Sequence, residues 1–188
     1  AGRPAFEDLL DSDTPLATVI ERWIDMLLDA ARTDAVVYAV PGNPLVGDAT
    51  VRVLLQRAEE AAVPVRAIPG SGVVDAATAA LPPSALALGV QVLDTLDLAL
   101  AAEHAPFSGG EAALSPLQPL LLTNPGPARV MAAACETLAR LYPESMTLLV
   151  LNHTPTGELH SVETALGSLA DATGDMLAIY LAPVSPLE

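Results

Sequence analysis

Two short stretches of the 188-residue chain carry the residue types best suited to holding a small molecule. Over residues 36–48 (Val-Val-Tyr-Ala-Val-Pro-Gly-Asn-Pro-Leu-Val-Gly-Asp) an apolar run stops at Pro41-Gly42, and the pattern predicts a helix starting at once. Asn43 is a favoured N-cap residue, and Pro44 suits the first helical position, where a missing N–H costs nothing. Such a sequence places an open helix N-terminus and free backbone groups at the carboxyl end of a buried strand, the edge at which α/β proteins bind small ligands. The pattern returns over residues 65–72 (Val-Arg-Ala-Ile-Pro-Gly-Ser-Gly). Backbone N–H and C=O groups in these loops can read an adenosine or a carboxylate without charged side chains. Pro, Gly and Asn are also common in plain strand-to-helix turns for backbone reasons alone. Two such loops on successive strands favour the ligand reading.

Other chemistry lacks its usual markers. His104, His153 and His160 have no metal-ligand spacing, and no metal site is expected. His153 follows an apolar run and lies at a sheet edge, with a solvent-exposed turn the favoured reading. Cys135 sits in the apolar stretch of residues 131–135 and reads as an inert core residue. The acidic groups Glu59-Glu60 and Glu7-Asp8…Asp11…Asp13 read as solvated faces and helix-start charges. There is no Gly-x-Ser-x-Gly elbow, Walker loop or Gly-x-Gly-x-x-Gly fingerprint. What remains is chemistry that depends on positioning.

The elements that must do the positioning follow from periodicity. Leu16, Val19, Ile20, Trp23, Met26, Leu27 and Ala30 mark a helix from about 14 to 32, with Asp13-Thr14-Pro15 as its start signal. Residues 35–40 read as a buried strand, Val51 to Ala62 as a helix, 64–68 as a strand and 73–81 as a helix. Leu88 to Leu93 reads as a further strand, and residues 103–116 have loop composition and mark a candidate domain boundary. A second α/β unit then carries a strand at 119–123, a turn at 124–127, a helix at 128–141, a strand at 146–152, a short helix at 164–172 and a strand at 176–182.

Composition narrows the partners. Hydrophobic residues make up 52% and aromatics only 3%, which predicts a helix-rich core of aliphatic side chains. Twenty-three acidic residues face eight basic ones, all arginine, for a net charge of −15; no basic cluster is present, so no nucleic-acid partner is expected. No run of 18 uncharged apolar residues predicts a membrane span, and the first residues lack the basic and apolar regions of a signal peptide, so a soluble cytoplasmic protein is expected. The missing initiator methionine predicts further residues upstream of Ala1.

Residues 36–46 resemble the Gly-Asp-Pro-type loop of the tetrapyrrole (corrin/porphyrin) methylases, and are most similar to the methylase-like N-terminal domain of MazG-type proteins. Ile68-Pro69-Gly70-Ser71-Gly72 with Asp75-Ala76 is similar to that family's second loop. Residues 89–94 (Gly-Val-Gln-Val-Leu-Asp) and 141–144 (Leu-Tyr-Pro-Glu) fit as well, and the resemblance spans roughly 14–184. It implies a two-domain α/β tetrapyrrole-methylase-like fold, with an N-terminal domain over 1–107, lacking its first strand, and a C-terminal domain over 117–188. It implies S-adenosylmethionine in the cleft between them, a homodimer, and a small-molecule methyl acceptor. Carried over by position, Pro41, Gly42, Asn43 and Val46 line the cofactor from the first loop, Gly72 and Val73 from the second, and Thr123, Asn152 and Met176 from the C-terminal domain. Relatives often have Ser or Thr where this chain has Gly72, and the missing hydroxyl removes a hydrogen bond of about 1 kcal/mol. No catalytic residue is assigned.

Two functions of different classes follow. One is an S-adenosylmethionine-dependent methyltransferase, in which placing donor and acceptor supplies most of the catalysis. Only Arg52, Arg57 and Arg66 lie near the loops, which argues against a tetrapyrrole acceptor bearing many carboxylates. The other is a non-catalytic binding or regulatory module associated with a MazG-type nucleoside-triphosphate pyrophosphohydrolase, in cis or in trans.

Overall fold

Short apolar runs build one five-stranded sheet in this computed structural model, which describes residues 6–10, 12–87, 89–103, 114–154, 156–172 and 176–184. Strand β1 (Gln91–Asp94) runs parallel to β2 (Leu120–Thr123), with Asp94 opposite Thr123. β2 is antiparallel to β5 (Met176–Leu181), which is antiparallel to β3 (Thr147–His153), and β3 pairs antiparallel with β4 (Leu159–Ala165) at the far edge. The spatial order is therefore β1-β2-β5-β3-β4. Because β1, β2 and β3 all run the same way, Asp94, Thr123 and His153 finish at one edge, where β5 begins at Met176.

Period-two alternation divides each strand between two cores. Leu120, Leu122, Leu148, Val150, Ile179 and Leu181 face helices α5 (Thr95–Glu103) and α6 (Ala128–Leu138), meeting Leu98, Met131, Ala134 and Leu138. Leu121, Leu151, Ala178 and Tyr180 face the opposite way, under Ala77 and Leu81 of and after helix α4 (Val73–Ala80). A third core joins the short α1 (Phe6–Leu10), α2 (Leu16–Ala31) and α3 (Ala49–Glu60) to Leu96, Ala99 and Val130. A 3₁₀ helix at Leu166–Asp171 closes the first core with Leu166 and Leu169.

Helix α2 runs from Leu16 to Ala31, close to the predicted 14–32, but its start signal supplies no side-chain cap. Pro15 stands at the N-cap without a side-chain cap bond. The Leu16 N–H donates instead to both carboxylate oxygens of Glu103, at 3.0 and 2.9 Å. Arg129 ties the same corner together, donating to Thr14 O at 2.8 Å, to Ser12 O and to Glu103 at 3.3 Å. The cap comes from 87 residues away in sequence.

Two predicted strands are absent. Residues 35–40 and 64–68 belong to no ladder, although β1 and β4 each present an open edge. A strand needs a hydrogen-bonded neighbour, and apolar composition alone does not supply one. Val37 is 91% exposed and Ile68 73%. An apolar cleft of about 700 Å³ lies beside them, lined by residues 34–40 and 63–68 with Leu27 and Leu28 of α2 and Val51 and Leu54 of α3. The predicted strand from Leu88 starts at Gln91; residue 88 and most of the 103–116 boundary (104–113) lie outside the described residues. The predicted helix at 164–172 is a 3₁₀ helix preceded by the polar strand β4, and α5 follows β1 without a break.

Candidate functional site

The first loop is built by its glycines. Gly42 and Gly47 hold φ of +75° and +64°, a region that side-chain-bearing residues avoid. Between them Asn43 folds the chain into a turn, its Oδ1 accepting the Leu45 N–H at 3.1 Å and its carbonyl accepting the Val46 N–H at 3.1 Å. Asn43 is therefore not the N-cap expected of it. The helix starts six residues later, with Asp48 as N-cap accepting the Val51 N–H at 2.9 Å and the Thr50 hydroxyl at 2.7 Å. Gly47 in the left-handed region interrupts the run from Pro44, and Asp48 offers a carboxylate where the chain turns helical again.

The second loop does open a helix. Gly72 is the N-cap of α4, and its N–H donates to Asp75 Oδ2 at 3.3 Å. The loops meet backbone to backbone. A Cβ on Gly70 would stand 2.7 Å from the Gly42 carbonyl oxygen, and one on Gly42 would stand 3.3 Å from that of Ser71 and 3.9 Å from Val73 N. Gly72 approaches Asn43 in the same way, a Cβ there lying 3.9 Å from Asn43 Cβ. Gly42 and Asn43, next to Pro41, thus lie beside Gly72 and Val73, with Val46 exposed on the flank.

Beneath the loops lies the sheet edge. Thr123 Oγ1 donates to Gly47 O at 2.5 Å, and Asn124 Nδ2 donates to the same carbonyl at 3.2 Å and to Asp94 Oδ2 at 3.0 Å. Asn124 itself sits at φ +48°. The approach is tight: a Cβ on Gly47 would meet Thr123 Oγ1 and Val92 Cγ1, each at 2.9 Å. Thr123 therefore joins the first loop directly. Asn152 and Met176 face each other across β3 and β5 at a β-bulge and share the edge, and no backbone ladder joins them to the loops. Asn152 Oδ1 is buried with no hydrogen-bond partner, a costly state for a polar atom and one that a ligand donor would relieve.

Asp94 was not among the expected site residues. It is 3% exposed and accepts the Ala49 N–H at 2.9 Å and the Leu96 N–H at 2.8 Å, besides Asn124. Burial pushes its pKa up to about 7, against the pull of those three donors, and the nearby charge of Asp48 pushes the same way. A cavity of about 510 Å³ runs past it, lined by Pro44, Leu45, Gly47, Asp48, Arg52 and Asp97 among others. A charged residue ending the stretch Val90-Gln91-Val92-Leu93 was the signal available in the sequence.

The remaining titratable residues stand apart. His153 closes β3 half-buried, His160 is exposed on β4, and His104 lies outside the described residues. Cys135 is half-buried on α6 and burial pushes its thiol up, away from the reactive thiolate. Among the described residues no group of three or more His, Cys, Asp or Glu could hold a metal ion, and no helix is long and apolar enough to cross a membrane. Arg52 pairs with Asp97 at 2.5 Å and Arg57 with Asp25 at 2.7 Å.

No protein-family model matches the chain. Over 71 residues, 38% of this chain, it is 39% identical to the uncharacterized protein YabN of Bacillus subtilis (strain 168), and the match spans 14% of that protein's length. Among solved structures, the chain is similar to uroporphyrin-III C-methyl transferase from Thermus thermophilus complexed with S-adenyl homocysteine. The identity is 21% and the TM-score 0.48, over 85% of this chain and 72% of that one. It is also similar to the methyltransferase CobJ, at 20% identity and a TM-score of 0.46 over 93% and 73% of the two chains. With a diphthine synthase the identity is 18% and the TM-score 0.44, over 92% and 67%.

Proposed function

We propose that this chain is an S-adenosylmethionine-dependent methyltransferase of the tetrapyrrole-methylase type, acting on a small-molecule acceptor. The observation that carries the reading is the pair of Pro-Gly loops in backbone contact above the edge where β1, β2 and β3 end, with the partnerless Asn152 Oδ1 at that edge. The resemblance of residues 36–46 and 68–72 to the two loops of that family supports it. The fit is chemical: tight loops rich in backbone carbonyls, next to acidic Asp48, suit a ligand carrying positive charge.

When bound, the cofactor supplies a sulfonium-activated methyl group. The loop backbone around Gly42 and Gly72 would hold and orient it, and Asn152 Oδ1 would offer it a hydrogen-bond acceptor. Thr123 and Asn124 keep the first loop seated on the sheet. Holding donor and acceptor in line is the main catalytic contribution such a site can make. With Arg52 and Arg57 committed to carboxylates, Arg66 is left as the other arginine near the loops, and an acceptor with few negative charges suits the site better than a polycarboxylate. A homodimer, a cytoplasmic setting and a pyrophosphohydrolase partner in cis or in trans complete the proposal.

A second reading, a ligand-binding module without turnover, is favoured by Asp94. It is the one carboxyl among the described residues with a clearly raised pKa, and its hydrogen bonds all point into the protein frame. Calorimetric titration with S-adenosylmethionine and S-adenosylhomocysteine tests both. Saturable binding that weakens about fivefold to tenfold in Asn152→Ala is expected, the loss of about one hydrogen bond to a ligand. Absence of binding overturns the proposal, and binding without methyl transfer to any acceptor leaves the module.

A further inference from the structure

We propose that the apolar cleft between residues 35–40 and 64–68 is a docking site for an extended segment of a partner protein. The segment is apolar at alternate positions and basic at one end, and it enters as a strand hydrogen-bonded to both walls. Nothing in this surface depends on what the Pro-Gly loops bind.

Both walls have the form of strands that lack neighbours. Tyr38 and Val40 are half-buried with exposed Ala39 between them, and Ala67 is half-buried between exposed Arg66 and Ile68, the period-two exposure of a strand. The walls run into the touching loops at Pro41-Gly42 and Pro69-Gly70, so they point the same way and the loops close one end of the cleft. Leu28 of α2 and Val51, Leu54 and Leu55 of α3 supply an apolar floor. Among the described residues, the backbone N–H and C=O groups of Val36, Val37, Ala39 and Val40, and of Val65 to Ile68, make no hydrogen bond.

That last feature selects the occupant. An acyl chain or another apolar small molecule would leave two rows of backbone donors and acceptors unpaired in a site it had dried. A strand satisfies both rows, because successive residues turn their N–H and C=O groups to opposite sides. The size agrees: five residues of strand, at about 3.3 Å of rise, about 4.8 Å of width and about 10 Å of side-chain depth, fill roughly 800 Å³. The cleft measures about 700 Å³. Charge then distinguishes between partners. Asp34 and Arg66, the charged residues lining the cleft, balance each other. At Leu28 the cleft adjoins a groove where three carboxylates, Asp25, Asp29 and Glu60, stand against two arginines. A second copy would bring its own charge of −15 to that mouth, whereas a basic end is drawn to it.

The test titrates the full chain with a synthetic peptide, Lys-Lys-Thr-Val-Thr-Val-Thr-Val, up to about 1 mM, without cofactor. On saturation, amide hydrogen exchange is expected to slow about tenfold at alternate residues of 36–40 and of 65–68. Methylating the backbone nitrogens of the Val set or of the Thr set removes donors to one wall at a time. Each is expected to weaken binding about tenfold. Sensitivity to one set alone means addition to a single edge, and insensitivity to both means apolar adhesion; either result overturns the proposal, as does absence of binding. Protection of the same amides without peptide also overturns it. If that protection grows with protein concentration the occupant is a second copy, and if it does not the walls pair with each other. The peptide with Glu in place of both Lys is expected to bind about tenfold more weakly at low salt. Asp29→Lys with Glu60→Lys, on the exposed rim, is expected to reverse that preference, and an unchanged preference removes the basic end from the proposal.

Discussion

Asp94 makes the protein's stability depend on pH in a direction opposite to that of a surface-paired aspartate. Its folded pKa of about 7 lies above the ordinary aspartate value of 3.8 that the unfolded chain approaches. Between those values the folded state holds a proton that the unfolded state has lost, so stability falls as pH rises. The contribution is fully present below the unfolded value and is gone once pH passes about 7. Some three pKa units correspond to at most about 4 kcal/mol. Urea denaturation at a series of pH values is expected to show this decline in the wild type and a markedly flatter profile in Asp94→Asn. Parallel profiles would mean that the decline comes from other groups.

At the scale of elements, local rules hold where neighbours reinforce them and fail where the decisive partner is remote. The helix at 16–31 was legible because its apolar spacing matches one buried stripe, from Leu16 and Val19 through Ile24 to Leu28. Its cap was not, since Glu103 acts from the end of another helix. Replacing Glu103 by Ala is expected to cost about 1 kcal/mol, in the range of a lost N-cap, and to lower the melting temperature measurably while leaving ligand affinity unchanged. The touching loops were legible from Pro41-Gly42 and Pro69-Gly70, whose backbone demands are local. Asn43 misled because its side chain serves a turn as well as a cap, and only Gly47 decides between them. Strand β4 escaped notice because an edge strand facing solvent can be polar, as His160, Ser161 and Glu163 are. Asp94 and Asn124 were hidden for a different reason: their meaning lies in one carboxylate serving three segments, which spacing along the chain does not reveal.

On the scale of the whole molecule, sheet and helices form a frame for one edge. Leucine-rich cores on both faces fix β1, β2, β5 and β3, and that rigidity is what lets short loops hold backbone groups in place. The N-terminal helices add a separate core and bring the first loop over the edge through α3. The weakest part of the frame is the side where residues 35–40 and 63–68 run without ladder partners.

That open side governs how copies of the protein treat one another. Exposed Val37, Val65 and Ile68 beside an apolar cleft form a sticky patch, whereas a charge of −15 on every molecule keeps neighbours apart. Salt shortens the reach of that repulsion to about 10 Å at 0.1 M and leaves the apolar attraction intact. The protein is therefore expected to associate more as ionic strength rises, seen as a growing hydrodynamic radius in light scattering. Val37→Lys with Ile68→Lys is expected to suppress the growth despite lowering the net charge. If that double variant associates as readily as the wild type, the contact lies elsewhere. The same few side chains that fail to find a strand thus set the colloidal limits within which the loops above them can be studied.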